Sequence, residues 1–239
     1  MAKKKIRVLY DSQLTLTLTI LAAILFFLDF LILKGKLSAS LLTSYGTLSD
    51  KAFSASNPLS YIRIILHVFG VQSWSALLIN STFFLLLGKS LEEEYGSFIL
   101  GLMIFLSSLL SGVILIFCPV NSSGAYPIIF LMIFLSAVKM ISKKNIQISW
   151  ILIFILYTAY SMACAFENNS SLIEGNNFIK FFQSNIPTFI AIASGIAASL
   201  FGFLSVPKES RSSKKADSFE EKNKKSDDQE GETIGSLKF

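Results

Sequence analysis

The chain has 239 residues, of which 52% are hydrophobic and 15% are charged, and its net charge at pH 7 is +5. This composition excludes an ordinary soluble domain and is typical of helices that lie in a bilayer. Because the chain has a single histidine, it offers no Cys/His cluster for a metal, and we expect no metal and no cofactor. The expected partner is the lipid bilayer, and the small excess of cations does not predict a nucleic-acid partner.

Six apolar stretches are long enough to cross a bilayer, since a hydrocarbon core about 30 Å thick needs roughly 20 helical residues. We place these spans near residues 13–33, 72–88, 97–118, 123–142, 147–166 and 185–206. The first contains the alternating segment LTLTLTI, which would favour a strand in water, but its apolar run is too long for a strand and predicts a helix. It lacks a small-residue cleavage site and continues into KGK, so we expect a retained helix rather than a signal peptide.

Lysines and arginines are concentrated at alternate ends of these spans. The larger group lies before the first span, at the ends of the second and fourth spans, and after the sixth. It comprises Lys3, Lys4, Lys5, Arg7, Lys89, Lys139, Lys143, Lys144, Lys208, Arg211, Lys214 and Lys215. The opposite ends carry fewer cations over longer loops, namely Lys34, Lys36, Lys51, Arg63 and Lys180. The positive-inside rule therefore predicts that both termini lie in the cytoplasm. We expect an integral, multi-pass protein of the plasma membrane.

Three regions follow from this topology. Residues 1–12 form a basic cytoplasmic N-terminus, residues 13–206 form the membrane domain, and residues 207–239 form a cytoplasmic tail. The tail holds eight basic and eight acidic side chains with almost no apolar ones, so it cannot bury enough surface to fold and is predicted to be disordered. The outer loop 34–71 contains LSYIRIILHVFG, which is too short to cross and is expected at the membrane interface.

Small residues indicate where the helices touch, because close approach drives helix association in lipid. They recur four residues apart on the third and sixth spans, at Ser108 and Gly112 and at Ala191, Gly195 and Ser199, with Gly202 close to the same face. Cys118 and Cys164 fall near outer helix ends. We expect both to be buried free thiols, although this placement would also allow a disulfide between them. Asp29, near the outer end of the first span, is expected to reach water.

The segment 63–96, RIILHVFGVQSWSALLINSTFFLLLGKSLEEEYG, resembles the core of the rhomboid intramembrane proteases, from their first outer loop through their second transmembrane helix. The intervals match without a gap, and the matching positions are Arg63, His67, Asn80, Gly88, Glu92 and Gly96. At the start of its fourth helix the family carries a G-x-S-G motif; here Asn121-Ser122-Ser123-Gly124 occupies that place and matches at Ser123 and Gly124. The resemblance covers roughly residues 10–206 and implies an all-α, rhomboid-like six-helix bundle.

By this resemblance Ser123 occupies the family's nucleophile position and Asn80 its oxyanion-stabilising position. The family's catalytic histidine begins an H-x-x-G-x-x-x-G signature on the sixth helix, and the overlay on IASGIAAS puts Ile192 at the histidine and Gly195 at the first glycine. On the second helix the family's H-x-x-x-N has Ala76 in place of its histidine. Two catalytic positions of the family are therefore not retained.

A serine hydroxyl is a weak nucleophile unless a base takes its proton. In a soluble serine protease, losing the base costs roughly a million-fold in turnover. Lys139 cannot replace it, since it lies about 24 Å along the fourth helix from Ser123. We therefore predict a protein without efficient protease activity, and its resemblance to inactive members of the superfamily implies that it binds transmembrane segments of other proteins, with Ser123 as a packing residue.

The alternative is a divergent rhomboid protease that cleaves transmembrane substrates with Ser123 as nucleophile, Asn80 as oxyanion donor and an unusual base. His67 is a structural residue of the outer loop by resemblance, and it could act as that base only if the loop swung inward. A transporter is a third hypothesis, which lacks support because no intramembrane charge pair and no inverted repeat is visible.

Overall fold

The computed structural model describes residues 12–205 except 48, 50, 72, 143, 145, 146, 172 and 174. The regular elements of that part are helices, as expected; they are α1 (Gln13–Leu28), α2 (Pro58–Leu66), α3 (Trp74–Tyr95), α4 (Ser97–Ile116), α5 (Tyr126–Ser142), α6 (Ile148–Asn169), α7 (Asn177–Ser184) and α8 (Ile186–Ser205). By its contacts the chain divides into a unit of residues 1–202 and a second unit of residues 203–239, of which only the end of α8 is described. The predicted N-terminus, apart from Ser12, and the predicted tail lie outside the described residues.

Five helical segments are long and apolar enough to cross a membrane within the described residues. They are Gln13–Leu33, Trp74–Tyr95, Ser97–Ile116, Ile148–Asn169 and Asn177–Gly202. The first combines α1 with a wider π-helical turn, Asp29–Leu33, that continues it. The protein is thus a multi-pass integral membrane protein. Five of the six predicted spans are confirmed as helices long and apolar enough to cross a membrane, although their bounds differ from the predicted ones.

The remaining predicted span corresponds to α5, which has 17 residues and is about 25 Å long, less than a typical hydrocarbon core. Residues 128–133 of this helix are almost completely buried. On α3 and α6, by contrast, apolar side chains such as Leu86 and Leu152 are 65% and 56% exposed. α5 is apolar on all sides because protein surrounds it, which also removes the need to match the bilayer's thickness.

Among the helix boundaries that differ from the predicted spans, two have an identifiable cause. The second span was predicted to end at residue 88, but α3 continues to Tyr95, because the segment LEEEY consists of helix-compatible residues and the helix stops only at Gly96, whose φ is +80°. The fourth span was predicted to begin at residue 123, but α5 begins at Tyr126. Gly124 has φ +126°, which is incompatible with a right-handed helix, so Ser123 lies in the loop before α5.

The small residues predicted at helix contacts do lie at close approaches. A side chain on Gly112 of α4 would collide with the carbonyl oxygen of Ile64 in α2, and one on Gly195 of α8 would lie 2.8 Å from the backbone nitrogen of Leu131 in α5. Gly202 is similarly covered by the side chain of Met103 in α4. Each glycine lets a backbone or bulky side chain come close, as expected for helices in lipid.

A buried carboxylate joins the ends of α1, α3 and α4. Glu92, near the end of α3, accepts hydrogen bonds from the backbone N–H groups of Leu14 (2.8 Å) and Thr15 (3.1 Å) at the start of α1. The hydroxyls of Thr15 (3.0 Å) and Ser97 (2.6 Å) donate to the same carboxylate. Because the first N–H groups of a helix have no partner in their own helix, this carboxylate caps α1. Gly88, one turn earlier, lets Thr15 lie against α3.

The outer loop between α1 and α3 is folded against the bundle. Ser108 of α4 donates its hydroxyl to the carbonyl of Ile65 at 2.7 Å, which fixes α2 on α4. Arg63 donates to the carbonyls of Ser40 (2.6 Å) and Lys51 (3.2 Å) and so connects distant parts of the loop. The expectation that Asp29 reaches water is wrong: its side chain is 7% exposed, because its carboxylate accepts the backbone N–H groups of residues 37 and 38.

Candidate functional site

The loop that carries Ser123 is held from both sides by hydrogen bonds. Ser122 and Ser44 form an isolated antiparallel bridge, with N–H···O distances of 2.8 and 2.9 Å, so the outer loop pairs with this segment. On the other side, the side-chain amide of Asn169 at the end of α6 accepts from the Asn121 N–H (2.8 Å) and donates to the Asn121 carbonyl (3.1 Å). The side chain of Asn121 in turn accepts the N–H of Gly46 at 3.1 Å. The position of Ser123 is therefore fixed by backbone contacts on both sides.

Glycines allow the close contacts around Ser123 itself. Ser123 is 5% exposed, and a side chain on Gly70 would lie 2.7 Å from its Cβ atom. Gly124, at φ +126°, donates its N–H to the carbonyl oxygen of His67 at 2.9 Å. The positive φ explains why glycine is needed at position 124, and this hydrogen bond occupies an N–H group next to the serine.

A cavity of about 170 Å³ lies beside this loop and brings the two predicted catalytic positions together. Its wall includes Ser123, together with Ala76 and Asn80 of α3, and Cys164 and Glu167 of α6. The cavity is more polar than the helix surfaces around it and is large enough for several water molecules or a short stretch of backbone. Sequence reasoning identified the α3 and loop positions but not the α6 wall.

Asn80 is oriented by a residue that sequence reasoning missed. The buried hydroxyl of Tyr157 in α6 donates to the Asn80 side-chain oxygen at 3.1 Å, and the Asn80 side chain is 6% exposed. With its oxygen bonded to Tyr157, Asn80 has its two amide N–H donors left for the cavity that it lines. The available signal was chemical: a polar side chain in mid-helix needs a partner, and Tyr157 is a hydroxyl-bearing residue on an apolar helix.

His67 lies next to the serine loop, but both of its ring nitrogens are bonded elsewhere. Nδ1 donates to the carbonyl oxygen of Ile64 at 2.9 Å, and in the neutral ring Nε2 accepts from the Ser111 hydroxyl at 3.0 Å. The residue is fully buried, and burial lowers the pKa of its imidazole to about 4. The Ser123–His67 pair that the protease hypothesis would need is not formed here; His67 instead packs the outer loop against α4.

The other predicted positions have structural surroundings. Ile192, which overlays the family's catalytic histidine, packs in an apolar cluster with Ile133 and Tyr157. Ala76, which overlays the family's second histidine, is buried and lines the cavity without a polar group. Lys139 lies at the end of α5 far from Ser123, as the sequence predicted, and it forms an ion pair with Glu94 that the sequence did not predict. Cys118 and Cys164 are both free thiols and partly buried, so they form no disulfide.

Two comparisons with known proteins found no match. No protein-family model matches the chain, and no curated protein is significantly similar to it. An assignment must therefore be argued from the residues: a loop serine and a helix asparagine on one cavity, with an alanine and an isoleucine where the rhomboid pattern has histidines.

Proposed function

We propose that this protein is a rhomboid-like, six-helix protein of the plasma membrane that lacks efficient protease activity and binds transmembrane segments of other proteins. In this proposal α5 is the sixth crossing, and it is short because it lies at the centre of the bundle. Both termini are cytoplasmic, so the cavity beside Ser123 opens near the outer membrane surface. The cation distribution along the sequence supports this orientation.

Support for the rhomboid-like architecture comes from what the matched residues do. Arg63 and His67 hold the outer loop, Glu92 caps α1, and Gly124 has a backbone conformation that favours glycine. Gly195 permits contact between α8 and α5. These roles depend on long-range packing, and they lie at the positions that carry the resemblance in the sequence.

The observation that carries the functional proposal is the composition of the cavity wall. Ser123 and Asn80 share the cavity, but Ala76 contributes only a methyl group and Ile192 packs in an apolar cluster with Tyr157. A histidine general base is missing, because the single histidine of the chain is His67. The cavity beside Ser123 is therefore a small polar cavity within a membrane domain, in which the hydrogen bond from Tyr157 orients the Asn80 amide.

The cavity beside Ser123 is suited to binding a transmembrane helix that is locally unwound near the outer membrane surface. An unwound turn exposes backbone carbonyl groups, which are costly in lipid unless a donor meets them. The Asn80 amide can donate to one of these carbonyls, and the cavity volume accommodates a short stretch of backbone. A regular helix has no free carbonyls in mid-membrane, so the site would discriminate by helix stability rather than by sequence.

A second candidate function is proteolysis, and one observation favours it. Glu167 of α6 lines the same cavity as Ser123, so a carboxylate stands near the predicted nucleophile. A carboxylate that takes the serine proton would act as the unusual base that this hypothesis requires. Asn80 would then stabilise the oxyanion.

The test uses the full-length protein in liposomes with two synthetic single-span peptides, one with a Gly-Pro pair near its outer end and one with leucines at those positions. We expect the Gly-Pro peptide to bind more tightly and to remain uncleaved. Asn80→Ala should weaken its binding about tenfold, as expected for a lost buried hydrogen bond. Thr82→Ala, which removes a polar group from the exposed side of the same helix, is the matched control and should bind as the wild type does.

Equal binding of the two peptides, or unchanged binding by Asn80→Ala, would contradict the proposal. Cleavage of either peptide that is lost in both Ser123→Ala and Glu167→Gln would establish the protease instead. Each variant's helical content and elution volume are compared with those of the wild type, so that a folding defect is distinguished from a loss of binding.

A further inference from the structure

A second, larger cavity lies at the opposite end of the bundle, between α3 and α6, with α5 as its floor. Its volume is about 490 Å³, compared with about 170 Å³ for the cavity beside Ser123. Its polar wall includes Ser90 of α3, Ser136 and Lys139 of α5, and Gln147 and Ser149 at the start of α6. Neither the serine motif nor the proposed binding of transmembrane segments assigns a role to it.

Another part of the cavity wall is apolar. It is formed by Leu86 and Leu87 of α3, Ile133 of α5 and Ile153 of α6. Leu86 is 65% exposed, so the apolar wall continues onto the lateral surface of the membrane domain. A ligand that fills both walls must be amphipathic, with a polar part toward the helix ends and a hydrocarbon part along the lateral surface.

Two features of the polar wall favour an anionic group. The Lys139 ammonium has three N–H groups, of which one meets Glu94 at 2.8 Å and one meets Ser90 at 3.1 Å, so one is left for the cavity. The start of α6 lies at the same wall, and the Gln147 side chain makes no capping hydrogen bond there. The Trp150 N–H donates to the Gln147 carbonyl at 3.1 Å, but the N–H groups of Ile148 and Ser149 before it are the first of the helix, and such groups have no carbonyl four residues earlier in the helix and bind phosphate oxygens well.

Glu94 does not prevent an anion from binding. The Lys139 and Glu94 side chains are 27% and 31% exposed, so their ion pair is hydrated and contributes little energy. A phosphate can therefore share the ammonium while water continues to solvate Glu94. Trp150 also lines the cavity and donates its indole N–H to the Ile133 carbonyl at 3.0 Å. Tryptophan is enriched at the level of lipid headgroups.

We propose that this cavity binds the phosphate headgroup of an anionic glycerophospholipid from the adjacent membrane leaflet, with one acyl chain along Leu86 and Ile153. The phosphate accepts hydrogen bonds from Lys139 and the first N–H groups of α6. Basic pockets between transmembrane helices are known to select anionic headgroups. The lipid stabilises the gap between α3 and α6, and its binding does not require the cavity beside Ser123.

The test is native mass spectrometry of the full-length protein in detergent, titrated with dioleoylphosphatidylglycerol. We expect a bound lipid whose affinity falls about fivefold in Lys139→Gln, as for loss of one cation near a headgroup. Lys180→Gln, which removes the same charge from α7, is the matched control and should leave the affinity unchanged. Glu94→Gln should strengthen binding severalfold, because it releases Lys139 from its ion pair.

Two further arms identify the ligand. Dioleoylglycerol, which lacks the phosphate, and glycerol 3-phosphate, which lacks the acyl chains, should each bind far more weakly than the complete lipid. Equal loss of affinity in Lys139→Gln and Lys180→Gln, or equal binding of dioleoylglycerol, would overturn the proposal. If Lys139→Gln fails to fold, Ser136→Leu provides the same test: it keeps the charge but fills the cavity, and unchanged lipid binding by that variant would contradict the site.

Discussion

Two groups of polar side chains lie near the opposite ends of α3, and they differ in how fully their hydrogen-bonding groups are used. At one end the Glu92 carboxylate accepts from Leu14, from the N–H and hydroxyl of Thr15, and from Ser97. At the other end the Asn80 side-chain oxygen accepts one hydrogen bond, from Tyr157, and the residue lines the cavity beside Ser123. Both residues are buried, and both are among the positions that carry the sequence resemblance to the rhomboid proteases.

The difference distinguishes a structural polar group from a candidate binding group. A buried polar atom without a partner costs free energy, so a protein normally pairs all of them. Glu92 is fully paired and joins three helices, whereas Asn80 keeps donors beside open volume. The sequence resemblance already gave the two residues different roles, an oxyanion donor for Asn80 and a structural position for Glu92, and their hydrogen bonds differ in the same direction.

The largest expected effect on stability comes from removing the Glu92 carboxylate. Glu92→Ala should lower the free energy of unfolding by about 4 kcal/mol, because it leaves the N–H groups of Leu14 and Thr15 and the Ser97 hydroxyl without their acceptor. Unfolding in mixed micelles with increasing SDS measures this change. Glu93→Ala alters an exposed neighbour on the same helix and should change the free energy by less than about 0.5 kcal/mol. Similar effects of the two variants would contradict the capping role.

The second effect is a pH dependence from His67 at the cavity end. Because burial lowers the pKa of His67 from 6.5 to about 4, the unfolded chain binds more protons than the folded chain between these values. Stability should be complete above about pH 6.5 and should fall by roughly 3 kcal/mol as the pH drops toward 4.

Thermal unfolding of the purified protein from pH 4 to pH 7 measures this dependence. His67→Gln removes the titrating group but keeps a side chain that can donate to the Ile64 carbonyl, so its stability should depend less on pH over the same range. A wild-type profile parallel to that of the variant would show that His67 is not held neutral by burial.

The smallest effect sharpens the role of Asn80. Tyr157→Phe removes the hydroxyl that donates to the Asn80 oxygen and should cost about 1 kcal/mol of stability. It should also weaken binding of the Gly-Pro peptide, because the freed amide is no longer directed at the cavity. Tyr160→Phe is the control, since its hydroxyl does not bond Asn80. Unchanged peptide binding in Tyr157→Phe would mean that Asn80 needs no orientation.

Much of the fold was predictable because lipid imposes simple rules on a sequence. Long apolar runs predicted the helices, and small residues such as Gly112 and Gly195 predicted close contacts that the structure contains. The end of α3 and the start of α5 were placed incorrectly, because hydropathy does not register a polar helical extension or a glycine with positive φ. The buried state of Asp29 was also missed, since it depends on two N–H groups that a turn brings back to it.

The sequence predicted some residues of the candidate site and missed others. Spacing in the sequence singled out Ser123 and Asn80, and the structure does bring them to one cavity. Tyr157, Cys164 and Glu167 were not found, because residues on α6 approach α3 only through packing around the central helix. No local pattern in the sequence specifies which face of one membrane helix meets another.

By itself the sequence determined that the chain is a helical, multi-pass membrane protein, and that its one histidine is His67. These are properties of composition and order, and they hold whatever the packing. Only the tertiary structure decided which groups bond the Glu92 carboxylate and that the two ring nitrogens of His67 bond Ile64 and Ser111. It also decided that Asn80 lines a cavity. Hydrogen bonds and cavities depend on distances of a few ångströms between residues far apart in the chain, and packing alone sets those distances.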